Sequence, residues 1–469
     1  MGGMQARHAG ASAASSYFNP ALLTDAPVGL TFGSLVLNSD IAVHVDARGP
    51  GNAVPDGLVN AGHADGSRFA TYPIATDLLQ RGRAPDALTP GLASRPRQHA
   101  GTGQETNTYE AIGLVVKLFE ERVAVGFYGL LPNKNFTAFR SFYVDEREQF
   151  FSNSLHPELY GDRMMAISVA FAAAVRITDS LSFGIGATLS LRAGASAPVY
   201  VADAGHLADL QLNTNIGAKL SLVPHAGISW QPGKRWHLTG TVHAPQELDV
   251  RANFTFLLAT GIEQSGSGLG FTYDFQPWQT GAGVGYDFYV RNDLTLTATG
   301  SVLYGRWSKY IDRQSQRPAG AYAWQDTVGG AGGLRMQKGS VGVALDGQYK
   351  PTPVPAQTGR TNYVDNDRVG LTLALEYGFQ WLHTKMKVGG QLQGYRMLMR
   401  HQTKVPTPTS ADGKNRTPAL VTDEVADDSV LMGAPVKGRE GLQTNNPGFP
   451  GFGSVGWVSS AGLYLSLSL

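Results

Sequence analysis

Bond-making chemistry needs a nucleophile with a base beside it, a set of metal ligands, or a loop that cradles phosphate, and this 469-residue chain offers little of each. It has no cysteine, which removes thiolate nucleophiles, thiolate metal sites and disulfides. No Gly-x-Ser-x-Gly elbow and no Gly-x-x-x-x-Gly-Lys occurs, and Gly184-Ile185-Gly186 falls inside a strand pattern, where a dinucleotide fingerprint would not. His44, His237 and His383 are scattered, with no carboxylates or further histidines at ligand spacing, so neither a metal site nor a proton relay is indicated. Asp145-Glu146-Arg147-Glu148, and Asp423-Glu424 with Asp427-Asp428, read as solvated loop charge, a calcium site in an outer loop being the alternative. A Ser/His pair assembled from distant strands, as a barrel enzyme acting on lipids would use, has no linear signature. The expectation is no enzyme, no cofactor and no metal.

What remains are residues that shape backbone. Asn19-Pro20-Ala21 is a turn signal, because proline fixes φ and pushes its predecessor out of the helical region. Gly126, Gly129, Leu130 and Pro132 end an apolar run; proline cannot donate to a strand ladder and glycine weakens one, so a strand that ends or curves there is the plain reading. Gly281, Gly283 and Gly285 alternate with Ala282, Val284, Tyr286 and Phe288. If the larger side chains face oil, the glycines form a bare inward stripe that a ligand or another part of the chain can approach.

The elements that carry these residues are strands. Leu294, Leu296, Ala298, Val302 and Tyr304 fall on one face and Thr295, Thr297, Thr299 and Ser301 on the other. The same dyad runs through Val341 to Asp346, Val369 to Tyr377 and Leu463 to Leu469. A soluble sandwich also alternates, but the connections alternate too. Short turns at Glu120 to Arg122, Thr178 to Ser180, Gln231 to Lys234, Arg291 to Asp293 and Gln337 to Gly339 interleave with long links, notably 47–107, 132–162 and 399–453. Short turns on one rim and long loops on the other are the habit of membrane barrels. The count is fourteen strands, near 28–46, 107–118, 122–131, 163–176, 181–193, 221–231, 235–257, 277–290, 293–304, 322–336, 340–349, 367–379, 381–399 and 454–469, the long seventh able to hide a bulge or break.

Composition agrees. Charged residues make up 16% of the chain against roughly 25% in soluble domains. The longest apolar run, Ala166 to Val175, is about half of what a spanning helix needs, and a closed barrel is the other structure that satisfies every backbone group in lipid. A net charge of +1 without a basic cluster argues against nucleic acid. The chain opens Met-Gly-Gly-Met with no charged and apolar export leader, so any secretory signal is expected to have been removed or replaced. The fold class is all-β: a transmembrane antiparallel barrel of about fourteen strands over 28–469. Residues 1–27, rich in Ala, Gly and Ser, form either an inward plug or a free tail. Trp307, Trp324, Trp381 and Trp457 lie near strand ends, where aromatic girdles sit.

Several of these motifs together resemble one family. Asn19-Pro20-Ala21 before the first strand is similar to the hatch of the FadL/TodX outer-membrane transporters for long-chain fatty acids and other hydrophobic compounds. Val123 to Pro132 resembles their third strand, Trp307-Ser308-Lys309 their recurrent Trp-Ser-Lys, and Pro351-Thr352-Pro353-Val354-Pro355 followed by Asp365-Asn366-Asp367-Arg368 their Pro-Val-Pro loop and the strand after it. The resemblance implies a bacterial outer-membrane location among lipids, an N-terminal hatch at 1–27, passive uptake of a hydrophobic small molecule, and lateral release through a gap in strand three at Gly126, Gly129, Leu130 and Pro132. For the glycine stripe, packing against the plug is the preferred reading over ligand contact. The alternative functions are a scaffold for envelope protein partners, with the long loops as interaction surfaces, and an aqueous porin.

Overall fold

The computed structural model describes residues 3–46, 99–133, 159, 168–201, 210–212, 215–257, 263–265, 269–312, 316–359, 361–404, 448 and 451–468. Fourteen antiparallel strands form the wall: β1 (Gly29–Val45), β2 (His99–Leu118), β3 (Val123–Pro132), β4 (Ser168–Thr178), β5 (Leu181–Val201), β6 (Asn215–Trp230), β7 (Trp236–His243, resuming as Gln246–Leu257), β8 (Gln279–Arg291, preceded by Leu269–Gln276), β9 (Leu294–Gly305), β10 (Thr327–Lys338), β11 (Val341–Lys350), β12 (Arg368–Trp381), β13 (Thr384–Thr403) and β14 (Gly451–Ser468). Each pairs with its sequence neighbours, and β1 closes the ring by pairing with β14 from Gly29↔Ser468 to Val45↔Phe452. Two short strands, Leu210–Leu212 and Glu263–Ser265, extend the hairpins beyond the wall.

The side chains decide which solvent surrounds this ring. Along β12, Leu371, Leu373 and Leu375 are exposed, Leu371 to 64%, whereas Thr372 and Ala374 between them are buried to 1%. Leucines outside and a threonine inside invert the order of a water-soluble sheet, so the barrel spans a membrane. Phe171, Ile185, Val302, Leu334 and Leu392 continue the outward apolar surface around the ring. Two shallow apolar depressions, one lined by Leu345, Leu371, Leu373 and Leu392 and the other by Phe32, Ile112 and Leu131, belong to this outer surface.

The turns on one rim are tight. Phe119, Glu120 and Glu121 turn β2 into β3 with positive φ, as do Asn292 between β8 and β9 and Leu382 and His383 between β12 and β13. His383 is therefore a turn residue.

The expected strands stand at their places, with corrections at the loop ends. β2 begins at His99, and β5 and β6 run on to Val201 and back from Asn215, because hairpin pairing continues past the membrane level. The seventh strand is broken at Ala244-Pro245, since proline has no N–H for the ladder. Its upper half pairs with Leu269–Gln276 and also runs parallel to the upper part of β5, Ala193↔Val250 to Tyr200↔Leu257. β10 begins at Thr327, after a one-turn 3-10 helix at Gly320–Tyr322. Trp307 and Trp324 are not girdle residues: exposed to 9% and 3%, they pack in a cluster with Phe275, Tyr310, Val354 and Tyr363. Trp381 and Trp457 are outward and more than half exposed, Trp457 beneath the Arg396 guanidinium. The acidic runs at 145–148 and 423–428 lie outside the described residues.

Leu375 sits midway along the outward run from Val369 to Trp381. Leu375→Arg is expected to destabilise the lipid-reconstituted barrel by about 2–4 kcal/mol in reversible denaturant unfolding, and Trp381→Arg at the rim by about 0–1 kcal/mol. Equal costs at both positions would contradict the assignment of this face to lipid.

Candidate functional site: the lumen

Residues 3–26 lie against the inward face of the wall, with contacts from β2, where a Cβ on Gly113 would meet Ala13, round to β12, where one on Gly370 would meet Met4. They fold as a 3-10 turn at Gly3–Gln5, one helical turn at Ser15–Phe18 and a 3-10 helix at Pro20–Asp25. Asn19 organises the middle: fully buried, it accepts from Ala21 N–H at 3.2 Å and donates from Nδ2 to the Arg7 carbonyl at 2.9 Å. Pro20, which has no N–H to lose, starts the 3-10 helix. The turn rests directly on bare wall. A Cβ on Gly227 of β6 would lie 1.9 Å from Asn19 Oδ1, and one on Gly184 of β5 would lie 2.5 Å from the Ala21 nitrogen, so these positions admit only glycine while the turn is in place.

Side chains of the wall hold the segment along its length. At one end the buried Asp346 of β11, paired with Arg335 of β10 at 3.3 Å, lies against the Gly3–Gln5 turn, where a Cβ on Gly3 would meet its Oδ2. Ser301 of β9 donates to Gln5 Oε1 at 2.7 Å, and Arg7 donates to Gln279 Oε1 at 2.5 Å. In the middle His225 and His243 stack at 4.9 Å, nearly parallel. Their Nε2 atoms meet the Ser16 carbonyl at 2.7 Å and the Phe18 carbonyl at 3.3 Å, and since carbonyls only accept, both histidines carry the proton on Nε2. Tyr17 packs edge-on against His243. At the other end the Thr24 hydroxyl lies 2.9 Å from Ser182 Oγ, and Arg176 of β4 bonds Asp25 at 2.6 Å and the Thr24 carbonyl at 2.8 Å.

The glycines singled out in the sequence fall as follows. A Cβ on Gly126 would meet Ser16 and Leu23, one on Gly283 would meet His8 at 2.4 Å, and one on Gly281 would reach His8 at 3.5 Å behind Thr241. A Cβ on Gly285 would have His237 and Thr297 of the wall as its nearest neighbours, with no atom of the segment among them, and one on Gly129 would meet Ile112 and Phe127. At Gly126 and Gly129 the ladder does not open: β3 pairs with β4 unbroken from Val123↔Val175 to Leu130↔Ser168 and with β2 as far as Tyr109↔Pro132. Strand three's glycines serve packing there, and the described β3–β4 ladder ends at Leu130. His237 has a partner after all, Asp287 at 3.0 Å, but no metal-binding group of His, Asp and Glu exists among the described residues.

Reading residue types along the chain passed over His8, His225, His243, Thr24 and Asp346. One signal was within reach: five residues up each arm from the Trp230↔Leu238 pair, the hairpin register places His225 opposite His243.

Above the segment, the link between β11 and β12 folds into the mouth. Val364 joins Ile41, Val43, Val45, Met397, Phe452 and Val458 in one apolar cluster, and Val354 and Tyr363 join the aromatic cluster of Trp307, Tyr310 and Trp324. Asn366 pins the link by donating to the Leu398 and Ser454 carbonyls at 2.7 and 2.8 Å.

No family model matches the chain, and no curated protein matches it. Among solved structures, it aligns over 97% of its length with 93% of a FadL homologue from Pseudomonas aeruginosa, at a TM-score of 0.52 and 13% identity. The fold is that of the FadL barrels. Two further structures align with lower scores: a TodX monoaromatic hydrocarbon channel deltaS2 mutant (0.48, 10% identity, 98% of this chain and 96% of that one) and the Pseudomonas putida toluene transporter TodX (0.44, 11%, 97% and 95%). In this FadL-like barrel, then, the Asn19-Pro20-Ala21 turn is the most tightly seated part of the inner segment.

Asn19→Ala removes two hydrogen bonds from a buried site and is expected to cost about 1–3 kcal/mol in thermal unfolding; Gly227→Val should act in the same direction. Both should raise single-channel conductance in planar bilayers, and unchanged conductance would mean that the segment holds its place without the turn. Burial, with the Arg7 charge adding to it, pushes His8 down to about 4. Between pH 6.5 and 4 the released segment binds a proton that the packed one refuses, so packing weakens as pH falls through that window. His8→Gln is expected to shrink this dependence, read as conductance against pH.

Proposed function

We propose that the chain is an outer-membrane channel for the passive uptake of hydrophobic small molecules, long-chain fatty acids or similar compounds. The observation that carries this reading is a fourteen-stranded membrane barrel whose lumen is occupied by residues 3–26 and whose mouth is folded over with apolar and aromatic side chains. A barrel open to water would serve polar solutes, but an occupied lumen beneath an apolar mouth suits a cargo that leaves water readily. In this role residues 3–26 act as a hatch that shifts to let cargo by. Release is lateral, into the membrane, since a hydrocarbon gains nothing by entering an aqueous compartment as a free solute. The exit lies at the Leu131-Pro132 end of β3, above the last described β3–β4 pair, where Pro132 lacks a ladder donor.

The test is protein-dependent entry of a labelled hydrophobic compound into proteoliposomes. The native chain is expected to admit the compound and exclude a polar solute of similar size such as glucose, and deletion of residues 3–26 to admit both. Entry of the compound at the rate of protein-free liposomes would overturn the reading. Ready passage of glucose through the native chain would replace it with a porin.

A further inference from the structure

On the outer face of the wall one cation stands without a counter-charge. Arg396 of β13 is exposed and follows Leu392 and Gly394 in the outward alternation, whereas its neighbour Met397 is fully buried. It marks the border of the apolar belt on the side of the long links: across the ladder it meets Val369, where the outward run of β12 begins, and Trp457 of β14. Its guanidinium lies 4.8 Å from the centre of the Trp457 ring. No carboxylate pairs with it among the described residues. Asp40, also exposed, stands on β1 with Trp457 between them, two strand spacings or roughly 10 Å away. Stacking on the indole holds the plane of the guanidinium and leaves free the N–H edge that grips phosphate oxygens in pairs.

Below Arg396 the wall is hollow. Gly394 lies two residues, or about 7 Å, toward the middle of the membrane, and a Cβ there would meet nothing within 4 Å. Packing therefore does not require a glycine at this position. Gly394 pairs with Ser459, and with Ala461 these small residues floor a depression of about 570 Å³ walled by Val36, Leu371, Leu373 and Leu392. The surroundings at this height are lipid. A hydrocarbon chain that fills the depression brings its head to the level of Arg396 and Trp457, and indoles favour that headgroup level.

We propose that Arg396, Trp457 and the hollow at Gly394 form a lipid site on the outside of the barrel, which seats one acyl chain in the hollow and the phosphate of an anionic lipid head on the Arg396 guanidinium. The contact is a charge-assisted, two-pronged hydrogen bond. A zwitterionic head brings its own cation beside the guanidinium, so the site prefers a head whose phosphate charge is uncompensated. It lies on the opposite face of the wall from residues 3–26 and holds whatever the lumen carries.

Retention of added lipid by the full chain in detergent micelles, read by native mass spectrometry, tests the site. The probes are dipalmitoyl phosphatidic acid and dipalmitoyl phosphatidylcholine at equal concentration. The native chain is expected to hold one phosphatidic acid roughly fivefold more tightly than phosphatidylcholine, the scale of an exposed ion pair. Arg396→Gln should bring that preference close to one, whereas Arg291→Gln, an exposed arginine at the other end of the wall, should leave it. Gly394→Phe, which fills the hollow, should lower retention of both lipids while the circular dichroism of the barrel is unchanged. Equal retention of the two lipids by the native chain, or an undiminished preference in Arg396→Gln, overturns the site. Unchanged retention in folded Gly394→Phe overturns the seat of the acyl chain. Displacement of phosphatidic acid by inorganic phosphate would make Arg396 a site for free oxyanions and overturn its assignment to a lipid.

Discussion

Every backbone N–H and C=O that crosses a bilayer must find a partner within the protein, because hydrocarbon supplies none. In this chain the requirement is met by ring closure, β1 pairing with β14 on one side and β2 on the other with no free edge between them. The rest follows from that ladder. Once the sheet is closed, its two faces see different solvents, and the alternation of leucine with threonine along β12 becomes a division between lipid and lumen.

A ring of this circumference has an interior that inward side chains alone do not fill. Residues 3–26 occupy it, and the means of holding them differs from that of a soluble core. Apolar contacts are few and small, Ala13, Leu23 and Ala26 against Val115, Ala124 and Ala172. Attachment is instead spread over hydrogen bonds from separate strands: Ser301, His225, His243, Ser182 and Arg176. Each is worth about 0.5–1.5 kcal/mol net, so the position of the segment is specified by many separate contacts and not by any one of them. A greasy plug of the same size would be harder to move and less sharply placed.

The other end of the lumen is built on the opposite plan. The mouth is folded over by aromatic packing, with Tyr310 stacked on Trp324 at 3.6 Å and Tyr363 and Phe275 edge-on around them. Polar anchors such as Asn366 only fix the register of the link that carries Val364 and Tyr363 inward.

The strand pattern, the parity of turns and loops, and the turn at Pro20 were legible in the sequence because they are local: side-chain period and turn chemistry act within a few residues, whereas the break in the seventh strand was expected only as a possibility and its place at Pro245 came from the fold. Leu371, Thr372 and Leu373 announce a two-faced strand before any fold is known. Which glycines touch the inner segment, and that Trp307 and Trp324 turn inward while Trp381 and Trp457 face out, depended on contacts between residues far apart in the chain. Asn19 meets Gly227 across 208 positions of sequence, and Lys404 and Asn362 come together beside Gly448 only where the β11–β12 and β13–β14 links converge. Periodicity states which face a residue is on; only the closed ring states what stands opposite it, because the curvature of the wall and the register of fourteen strands bring those surfaces together.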